Sequence, residues 1–521
     1  MSATRPTPHY LRLLVAIAAL LVAFSFLGSR GLWDPDEGRY TSVALNMLDS
    51  GDWVTPRRND DTGHWTKPPL TYWAIAGSVG VLGRSTWAAR VPSALSFLLC
   101  TWLTWRCARR LAPGMQAASA VVYMTMLMPV IAGQLVTTDF LLAATQSLAV
   151  YGFLEWRFGE EARARWLWLM WFAFALAFLT KGPPGLLPLL VITVFCLLAP
   201  GRRPPARLHA LGGVLMFFAL VLPWFVVVTA EHPGLLSYFL HGEVLDRVAS
   251  DHFHRHGEWY GWLEVYLPTL VVGSLPWTLF LWRWFARLPA ALGRWRHRSG
   301  RLNDAPALFV ALWLLLPLLV FCIARSRLPL YLLPLFVPIA LAIGAQAPKA
   351  ARSMWVAAWL SLLVLLRFGL GEYPAEDDAS AWAREIHGRT PGAVREVVFV
   401  DDMPRFGLHL HLGVQVEVLS IDDARQPAFN PEFDESLRTE LDESGADHSV
   451  VYVTKARKWK RVVGKLESLG YRAEPLGGVF NGRMLFEVDR IAPAKAVGPN
   501  TGTGVLHSAG PALPAKATTP A

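Results

Sequence analysis

Residues 31–70 read GLWDPDEGRYTSVALNMLDSGDWVTPRRNDDTGHWTKPPL, and this stretch decides how the chain folds. It mixes acidic and basic side chains with tryptophans, and it separates two strongly apolar regions. Charged side chains are costly inside a bilayer, so a polar interval between apolar segments lies outside the hydrocarbon. We therefore expect residues 30–85 to form a loop at one membrane surface.

The composition indicates a polytopic α-helical membrane protein. Of the 521 residues, 53% are hydrophobic and only 17% are charged, whereas soluble domains carry about 25% charged residues. Apolar stretches long enough to cross a bilayer recur through the first two thirds of the chain. Eleven spans are predicted, at residues 11–28, 86–105, 115–133, 139–156, 166–180, 183–199, 208–229, 262–285, 306–324, 327–346 and 353–370. The first is predicted to be a retained helix and not a cleaved signal peptide.

The charges between the spans predict their orientation. With the N-terminus in the cytoplasm, alternate loops are all basic, as in RWFARLPAALGRWRHRSGR at residues 283–301. Cytoplasmic loops carry an excess of Lys and Arg, so the net charge of +9 reflects orientation and not nucleic-acid binding. The remaining loops face the outside and lie at residues 30–85, 134–138, 181–182, 230–261 and 325–326 and after residue 370.

The composition changes after the last span. Residues 1–371 form the predicted membrane domain, residues 372–490 a small α/β domain on the outer side, and residues 491–521 a disordered tail. The pattern in the α/β domain predicts strands at 394–402, 413–423 and 448–455, helices at 431–445 and 456–470, and a hairpin at 477–488 around Asn481-Gly482.

A helix start is predicted at Asp34-Pro35-Asp36-Glu37. Asp34 would be the cap, Pro35 the first helical residue and Glu37 the partner in a capping box, with the helix ending at Gly51. This interpretation leaves Asp36 without a structural task. A carboxylate at a helix N-terminus stays ionised readily, so Asp36 is a candidate base or orienting group.

Lys67 is a candidate for binding phosphate. Pro68 and Pro69 restrict the chain beside it, although a lysine at an interface often only extends toward water. Together with Arg39 and with Arg57 and Arg58 it could form an anion site.

Other charged residues are expected at the same membrane face. Asp139 begins a span, where it is either a helix cap or a costly carboxylate with a function. Lys181 lies in a tight turn and is either an interfacial anchor or a ligand. Arg325 and Arg327, with Tyr331, form a second cationic cluster.

The loop at residues 241–259 is rich in histidine. His252, His254 and His256 would share one face of a strand and could bind a metal, although a solvated loop is the simpler interpretation. The sequence has no GxxxxGK[ST] motif and no GxGxxG motif after a strand. Cations and aromatic residues at a membrane face therefore favour a lipid phosphate over a nucleotide as donor.

Several motifs together resemble a known family. They are DEGRYTSVALNMLDSGDWVTPRRN with HWTKPPLTYW in the first loop, TTDF (137–140), FLTKG (178–182), Tyr238-Phe239 with Glu243 and Arg247, GSLPW (273–277) and ARSRLPLYLLPLF (324–336). Over residues 10–345 the chain resembles bacterial 4-amino-4-deoxy-L-arabinose lipid A transferases and related dolichyl-phosphate-mannose–protein mannosyltransferase-like enzymes.

The resemblance implies a GT-C fold and sugar transfer from undecaprenyl phosphate to lipid A or another periplasmic acceptor at the bacterial inner membrane. It implies that Asp36 is the key carboxylate and Asp139 a second acidic candidate. The substrate-binding residues that it implies are Arg39, Lys67, Lys181, Glu243, Arg247, Arg325, Arg327 and Tyr331. The family often has an acidic residue where this chain has Thr66 and a histidine where it has Val244, so a divalent metal is a candidate cofactor that the resemblance does not assign.

The expected reaction is a direct displacement at the anomeric carbon, which inverts its configuration. The cations would stabilise the departing polyprenyl phosphate, and Asp36 would deprotonate or orient the acceptor. Two alternatives stay open. One is a protein O-mannosyltransferase-like enzyme, and the other is a lipid-linked sugar transporter, which would place polar residues at mid-span and show paired broken helices.

Overall fold

The structure is a computed structural model that describes residues 9–161, 163–201, 211–245, 256–346, 351, 354–373, 375–423, 426–443 and 445–491. Arg247, His252, His254 and the tail from residue 492 onward lie outside these ranges, and so do the side chains of Val244 and Leu245. The predictions made for them are therefore not addressed by the structure.

Helices make up the membrane part of the chain, and each of the eleven predicted spans overlaps at least one of them. The helices are α1 His9–Phe24, α2 Asp36–Ser50, α3 Leu70–Leu82, α4 Thr86–Leu111, α5 Gln116–Thr125, α6 Leu127–Ala132, α7 Thr138–Phe158, α8 Ala164–Lys181, α9 Leu187–Leu198, α10 Leu211–Glu231, α11 Leu235–Tyr238, α12 Gly261–Gly273, α13 Thr278–Trp295, α14 Arg298–Asn303, α15 Ala305–Ile323, α16 Phe336–Gly344 and α17 Met354–Glu372. Short 3-10 helices precede α9 (Pro183–Leu186) and α16 (Pro329–Leu335).

Two of these helices, α10 and α15, are long and apolar enough to cross a membrane alone. The prediction of one continuous span at residues 262–285 is wrong, because α12 and α13 meet at an angle of 117°. Pro276 lies in the break between them, and proline has no backbone N–H to donate to a helix. The predicted span at residues 115–133 is also interrupted, at Met126 between α5 and α6.

The first outer loop contains two helices, of which only α2 was predicted. The predicted end of α2 at Gly51 is confirmed, since Gly51 has a φ of 71°, a conformation that glycine adopts at no steric cost. Helix α3 follows the Lys67-Pro68-Pro69 sequence and has only 13 residues. An apolar helix of that length is too short to be recognised as a span.

The C-terminal part is an α/β domain, as predicted. Its six-stranded sheet has the order β3-β2-β1-β4-β6-β5. The strands are β1 Glu396–Val400, β2 Gln415–Ser420, β3 Glu435–Ser436, β4 Val450–Lys455, β5 Tyr471–Pro475 and β6 Arg483–Arg490. Strands β1 to β4 are parallel, whereas β6 is antiparallel to β4 and β5.

Helices cover both faces of this sheet. They are α18 Ala379–Arg389 and α19 Leu408–Leu412 on one face and α20 Leu437–Glu443 and α21 Trp459–Ser468 on the other. The predicted Asn481-Gly482 turn is confirmed, with φ of 45° and 74°. The predicted helix at 431–445 is wrong in its first half, because Asp434 bonds to Val418 of β2 through both its backbone and its carboxylate and thereby starts β3.

The α/β domain is packed against the first outer loop. The backbone N–H of Gly31 donates to Asp378, and the guanidinium of Arg58 pairs with Asp434 at 2.7 Å. The hydroxyl of Ser42 on α2 lies 3.0 Å from Nδ1 of His409 on α19. The loop is therefore held between the membrane helices and the α/β domain.

Candidate active site

The capping box predicted for α2 is wrong. The residue before the helix is Pro35, and no side chain caps the helix. Glu37 is instead buried, and its carboxylate pairs with Arg30 at 2.5 Å and with Arg90 at 3.0 Å. Burial favours the neutral acid, but the two guanidinium groups outweigh it and lower the pKa of Glu37 to about 2. Glu37 thus joins the loop to α4.

Asp34 is also buried, and it connects the two domains. Its carboxylate accepts hydrogen bonds from the backbone N–H of Gly407 at 3.2 and 3.3 Å. Burial raises the pKa of Asp34 well above its usual value. Gly38 is required here, because a Cβ atom at that position would overlap both the Asp34 carboxylate and the Gly407 nitrogen.

Asp36 lies on the outer side of the first turn of α2. Its side chain is 56% exposed and pairs with Arg39, one turn later, at 2.5 Å. Because Asp34 and Glu37 point into the protein, Asp36 is the carboxylate of this sequence that stays accessible. Its only ion-pair partner among the described residues is Arg39, and its catalytic role stays a prediction.

Asp139 and Lys181 meet although they are 42 residues apart. Asp139 lies in the first turn of α7 and Lys181 is the last residue of α8, and the two side chains form an ion pair. The ammonium of Lys181 lies 4.3 Å from the centre of the Tyr331 ring, a cation–π contact. The three residues were predicted at one membrane face, and the structure brings them into contact.

Tyr40 lies in the electrostatic surroundings of both ion pairs. It is buried on α2, and its electrostatic neighbours include Arg39, Asp36, Asp139 and Tyr331. Burial raises the pKa of Tyr40, so its phenol is neutral at physiological pH. The Asp36–Arg39 pair and the Asp139–Lys181 pair are therefore parts of one site.

Lys67 lies in the same region, since Lys67 and Arg39 both act electrostatically on the buried His64. Its ammonium donates to the carbonyl of Thr66 at 2.6 Å and lies 3.5 Å from the carboxylate of Glu243. The hydroxyl of Tyr238 donates to the same carboxylate at 2.9 Å. Lys67 is also buried, with only 9% of the residue exposed, and its role in binding phosphate stays a prediction.

His64 was missed by the sequence analysis. It is buried, with Nε2 2.8 Å from the hydroxyl of Thr66. Burial lowers the pKa of His64 well below its usual value, and the positive charges of Arg39, Arg58 and Lys67 lower it further. The imidazole is thus neutral and lies among three cations. A single histidine in a polar loop gives no sequence signal that it will be buried and neutral.

Arg57 and Arg58 bind acidic side chains and do not take part in the anion site predicted for them. Arg58 does not complete a phosphate site with Lys67, because its guanidinium binds Asp434 and the carbonyl of Pro431. Arg57 pairs with Asp52 at 3.4 Å. The anion site predicted from four cations is therefore reduced to Arg39 and Lys67.

Arg325 and Arg327 were predicted to form one cationic cluster with Tyr331, but the two arginines have different surroundings. Arg327 is buried and donates to the carbonyls of Cys322, at 3.0 Å, and of Glu258, at 2.7 Å, and to that of His256. It thus holds the segment at 256–258 against the start of the 3-10 helix. Arg325 is exposed and has no ion pair among the described residues.

The described residues of the site do not form a metal centre. Two groups of three His or Glu side chains place ligand atoms within 4.8 Å of one another in the described part of the chain, and neither group includes Asp36, Asp139 or Glu243. One consists of His256, Glu258 and Glu264, all exposed, and the other lies in the α/β domain. Thr66 contacts His64. We therefore assign no reaction step to a metal.

Chemically, the site combines cations with carboxylates at a membrane surface. Arg39 and Lys67 can neutralise a phosphate, and a lysine or guanidinium bond to phosphate is among the stronger hydrogen bonds in proteins. Asp36 offers an accessible acceptor for a proton. Tyr331 offers the apolar ring surface that Lys181 contacts, and burial keeps the Tyr40 hydroxyl neutral.

Comparisons with known proteins agree with the family that the motifs indicate. The family described as dolichyl-phosphate-mannose-protein mannosyltransferase matches residues 66–226. The chain is 33% identical over 344 residues to undecaprenyl phosphate-alpha-4-amino-4-deoxy-L-arabinose arabinosyl transferase 2 of Pseudomonas fluorescens, covering 63% of this chain and 56% of that protein. It is 35% identical over 341 residues to the corresponding transferase of Pseudomonas aeruginosa strain LESB58, covering 62% and 58%. The chain thus spans less than three fifths of the length of these two relatives.

Solved structures have the same fold. The crystal structure of ArnT from Cupriavidus metallidurans bound to undecaprenyl phosphate superposes with a TM-score of 0.72 at 22% identity, covering 92% of this chain and 98% of that one. Arabinofuranosyltransferase AftD from Mycobacteria superposes with a TM-score of 0.51 at 15% identity, covering 93% and 40%. The predicted fold class, a GT-C membrane protein with a small C-terminal α/β domain, is confirmed.

Proposed function

We propose that this chain is a membrane glycosyltransferase that moves a sugar from undecaprenyl phosphate to lipid A or another periplasmic acceptor. The observation that carries the proposal is that two ion pairs, Asp36–Arg39 and Asp139–Lys181, lie at helix ends in the electrostatic surroundings of the same buried residue, Tyr40. The names of the relatives support this donor.

Arg39 and Lys67 are the proposed ligands of the lipid phosphate. Both are held before substrate arrives, Arg39 by Asp36 and Lys67 by Thr66 and Glu243. Preorganised cations stabilise charge that develops on a leaving group without the cost of reorganisation. Lys181 and Tyr331 are proposed to line the same pocket, whereas Arg327 acts on it only by positioning the segment at 256–258.

The proposed reaction is a single displacement. The bond between the anomeric carbon and the phosphate oxygen breaks, and the acceptor oxygen bonds to that carbon from the opposite side. Asp36 takes the proton if the acceptor is a hydroxyl group, and it only orients the acceptor if that is an ionised phosphate. The electron pair of the broken bond leaves with undecaprenyl phosphate, so the configuration is inverted.

The site is proposed to face the periplasm from the inner membrane. The basic loops support this orientation. Arg110, near the end of α4, pairs at 2.7 Å with Glu155, near the end of α7. The start of α7 carries Asp139, so basic residues and site residues lie at opposite ends of that helix.

A polypeptide acceptor is the second candidate, because the match to the mannosyltransferase family at residues 66–226 covers Lys67, Asp139 and Lys181. One experiment separates the two. Purified protein is supplied with undecaprenyl phosphate-linked 4-amino-4-deoxy-L-arabinose and either lipid A or a Ser/Thr-rich peptide, and the products are analysed by mass spectrometry.

We expect the mass of one pentose to be added to lipid A, and we expect Asp139→Asn to abolish this addition. The matched control is Asp61→Asn, an exposed aspartate of the first outer loop. Transfer to the peptide alone would favour the second candidate. An intact donor with both acceptors, or full activity in Asp139→Asn, would contradict the proposed site.

A further inference from the structure

A cluster of three carboxylates lies in the α/β domain, apart from the candidate active site. It consists of Glu417 on β2, Glu435 on β3 and Glu440 on α20, and each residue places one carboxylate oxygen within 4.8 Å of the others. None of these residues belongs to the candidate active site. The cluster forms where β2 and β3 run side by side beneath α20, because the register pairs Leu419 with Glu435.

Glu440 has a feature that charge alone does not explain. Only 5% of this residue is exposed, and its Oε1 atom is buried without a hydrogen-bond partner among the described residues. Buried polar atoms in folded proteins are nearly always partnered by protein, water or an ion. The Oε1 atom of Glu440 can therefore accept a partner that is not among the described residues.

The surroundings of the cluster add negative charge. Glu396 on β1 and Asp434 before β3 are both among the charged groups that act on Glu417. The carboxyl groups of Glu435 and Glu440 also lie within hydrogen-bonding distance of each other. Asp434 is already engaged by Arg58, and the nearby Arg395 pairs with Glu396 at 3.3 Å.

We propose that Glu417, Glu435 and Glu440 bind a hard divalent cation, with Ca²⁺ as the best-fitting member of that class. A calcium ion binds oxygen atoms at about 2.3–2.6 Å, so that its ligands lie within about 5 Å of one another. Carboxylate oxygens without nitrogen or sulfur favour Ca²⁺, Mg²⁺ or Mn²⁺ over softer metals.

The position of the cluster gives the cation a structural effect. Glu435 follows Asp434, and Asp434 binds both Arg58 of the outer loop and the backbone of β2. A cation at the cluster would hold β2, β3 and α20 together beside the contact between the α/β domain and the loop. This inference does not depend on the proposed transferase activity.

Direct binding to the full-length protein in detergent tests the inference. The protein is treated with EDTA, dialysed and titrated with ⁴⁵Ca²⁺, with Mg²⁺ added as competitor. We expect one Ca²⁺ per chain to be lost, or its affinity to fall at least about tenfold, in both Glu417→Gln and Glu440→Gln. The exposed Glu467 of α21 gives the control variant, Glu467→Gln, which should bind as the parent does.

The competing outcomes are distinct. An EDTA-treated parent chain that takes up no Ca²⁺ would overturn the inference. Unchanged uptake in both Glu→Gln variants would also overturn it, because the ion would then be held elsewhere, for example by His256, Glu258 and Glu264. Gel-filtration elution and circular dichroism identify a variant that has failed to fold. A thermal shift on adding Ca²⁺ that is seen in Glu467→Gln but not in Glu440→Gln would support the site independently.

Discussion

Asp36 and Glu37 are neighbours in the chain, yet they belong to two opposite kinds of ionic cluster. Glu37 lies in a closed cluster, where its carboxylate accepts five hydrogen bonds, from Arg30, Arg90 and the backbone of Trp33 and Val136. Asp36 lies in an open cluster and has one ion-pair partner, Arg39, among the described residues.

The difference distinguishes a carboxylate that stabilises the fold from one that is available to a substrate. A buried carboxylate whose acceptor positions are all occupied has nothing left for a substrate, and its loss would leave two buried guanidinium groups uncompensated. A half-exposed carboxylate beside one arginine can accept a proton or a new hydrogen bond. The following predictions test this contrast between the closed and the open cluster, from the largest expected effect to the smallest.

The closed cluster should be sensitive to the loss of its charge. In Glu37→Gln, Arg30 and Arg90 stay buried without a counter-ion, and removing one partner of a buried ion pair costs about 3–5 kcal/mol. We expect the yield of folded protein and the apparent melting temperature to fall sharply, as measured by fluorescence-detected gel filtration after heating. A melting temperature equal to that of the parent would mean that Glu37 is not what holds the loop to α4.

The open cluster should show the reverse pattern. In Asp36→Asn we expect transfer to fall about 10²–10⁴-fold, the range for loss of a general base, with the melting temperature unchanged because the side chain is half exposed. Rates are measured by mass spectrometry of the product, and Asp61→Asn is the control. If Asp36→Asn lost stability in parallel with activity, the distinction between the two clusters would fail.

His409 tests whether a closed contact between the domains depends on pH. Burial lowers the pKa of His409 to about 4, against the opposing charge of Asp49. The folded protein therefore binds fewer protons than the unfolded chain between pH 6.5 and 4. The contribution of the neutral His409 imidazole to the free energy of unfolding is complete above pH 6.5 and is lost as the pH falls toward 4. The loss reaches about 3 kcal/mol, at about 1.4 kcal/mol per pKa unit. We expect apparent melting temperatures to decline less between pH 6.5 and 4.5 in His409→Gln than in the parent, and an identical decline would contradict the assignment.

Arg58 and Asp434 form an intermediate case, a buried pair between the two domains. In Arg58→Lys the charge is kept, but the two-nitrogen contact with Asp434 is lost, and we expect about 1–2 kcal/mol of destabilisation. Limited proteolysis at the junction measures how often the domain separates. Arg57→Lys is the control, because Arg57 pairs only loosely with Asp52. Equal proteolysis of the two variants would show that the Arg58 pair does not hold the domain.

Much of the membrane fold could be predicted from the sequence. Apolar runs predicted the helices, and the basic loops predicted that Asp139 and Lys181 share a face, where the structure pairs them. The 117° bend between α12 and α13 could not be predicted from Pro276, because Pro268 and Pro289 lie inside the same two helices without ending them. Helix α3 was missed because its 13 residues are too few for a span. The capping box failed because Asp34 and Glu37 found stronger partners in distant parts of the chain.

By itself, the sequence determined where the chain can enter a bilayer, where helices end at glycine, and that one loop is rich in charge. These properties depend on the local order of apolar and polar residues. Only the tertiary structure decided which charges remain available for chemistry. Asp36 and Glu37 are equally acidic and adjacent in sequence, but the partner of each is set by residues brought together in space. For Glu37 that partner is Arg90, 53 residues away, and no local pattern encodes such a distance.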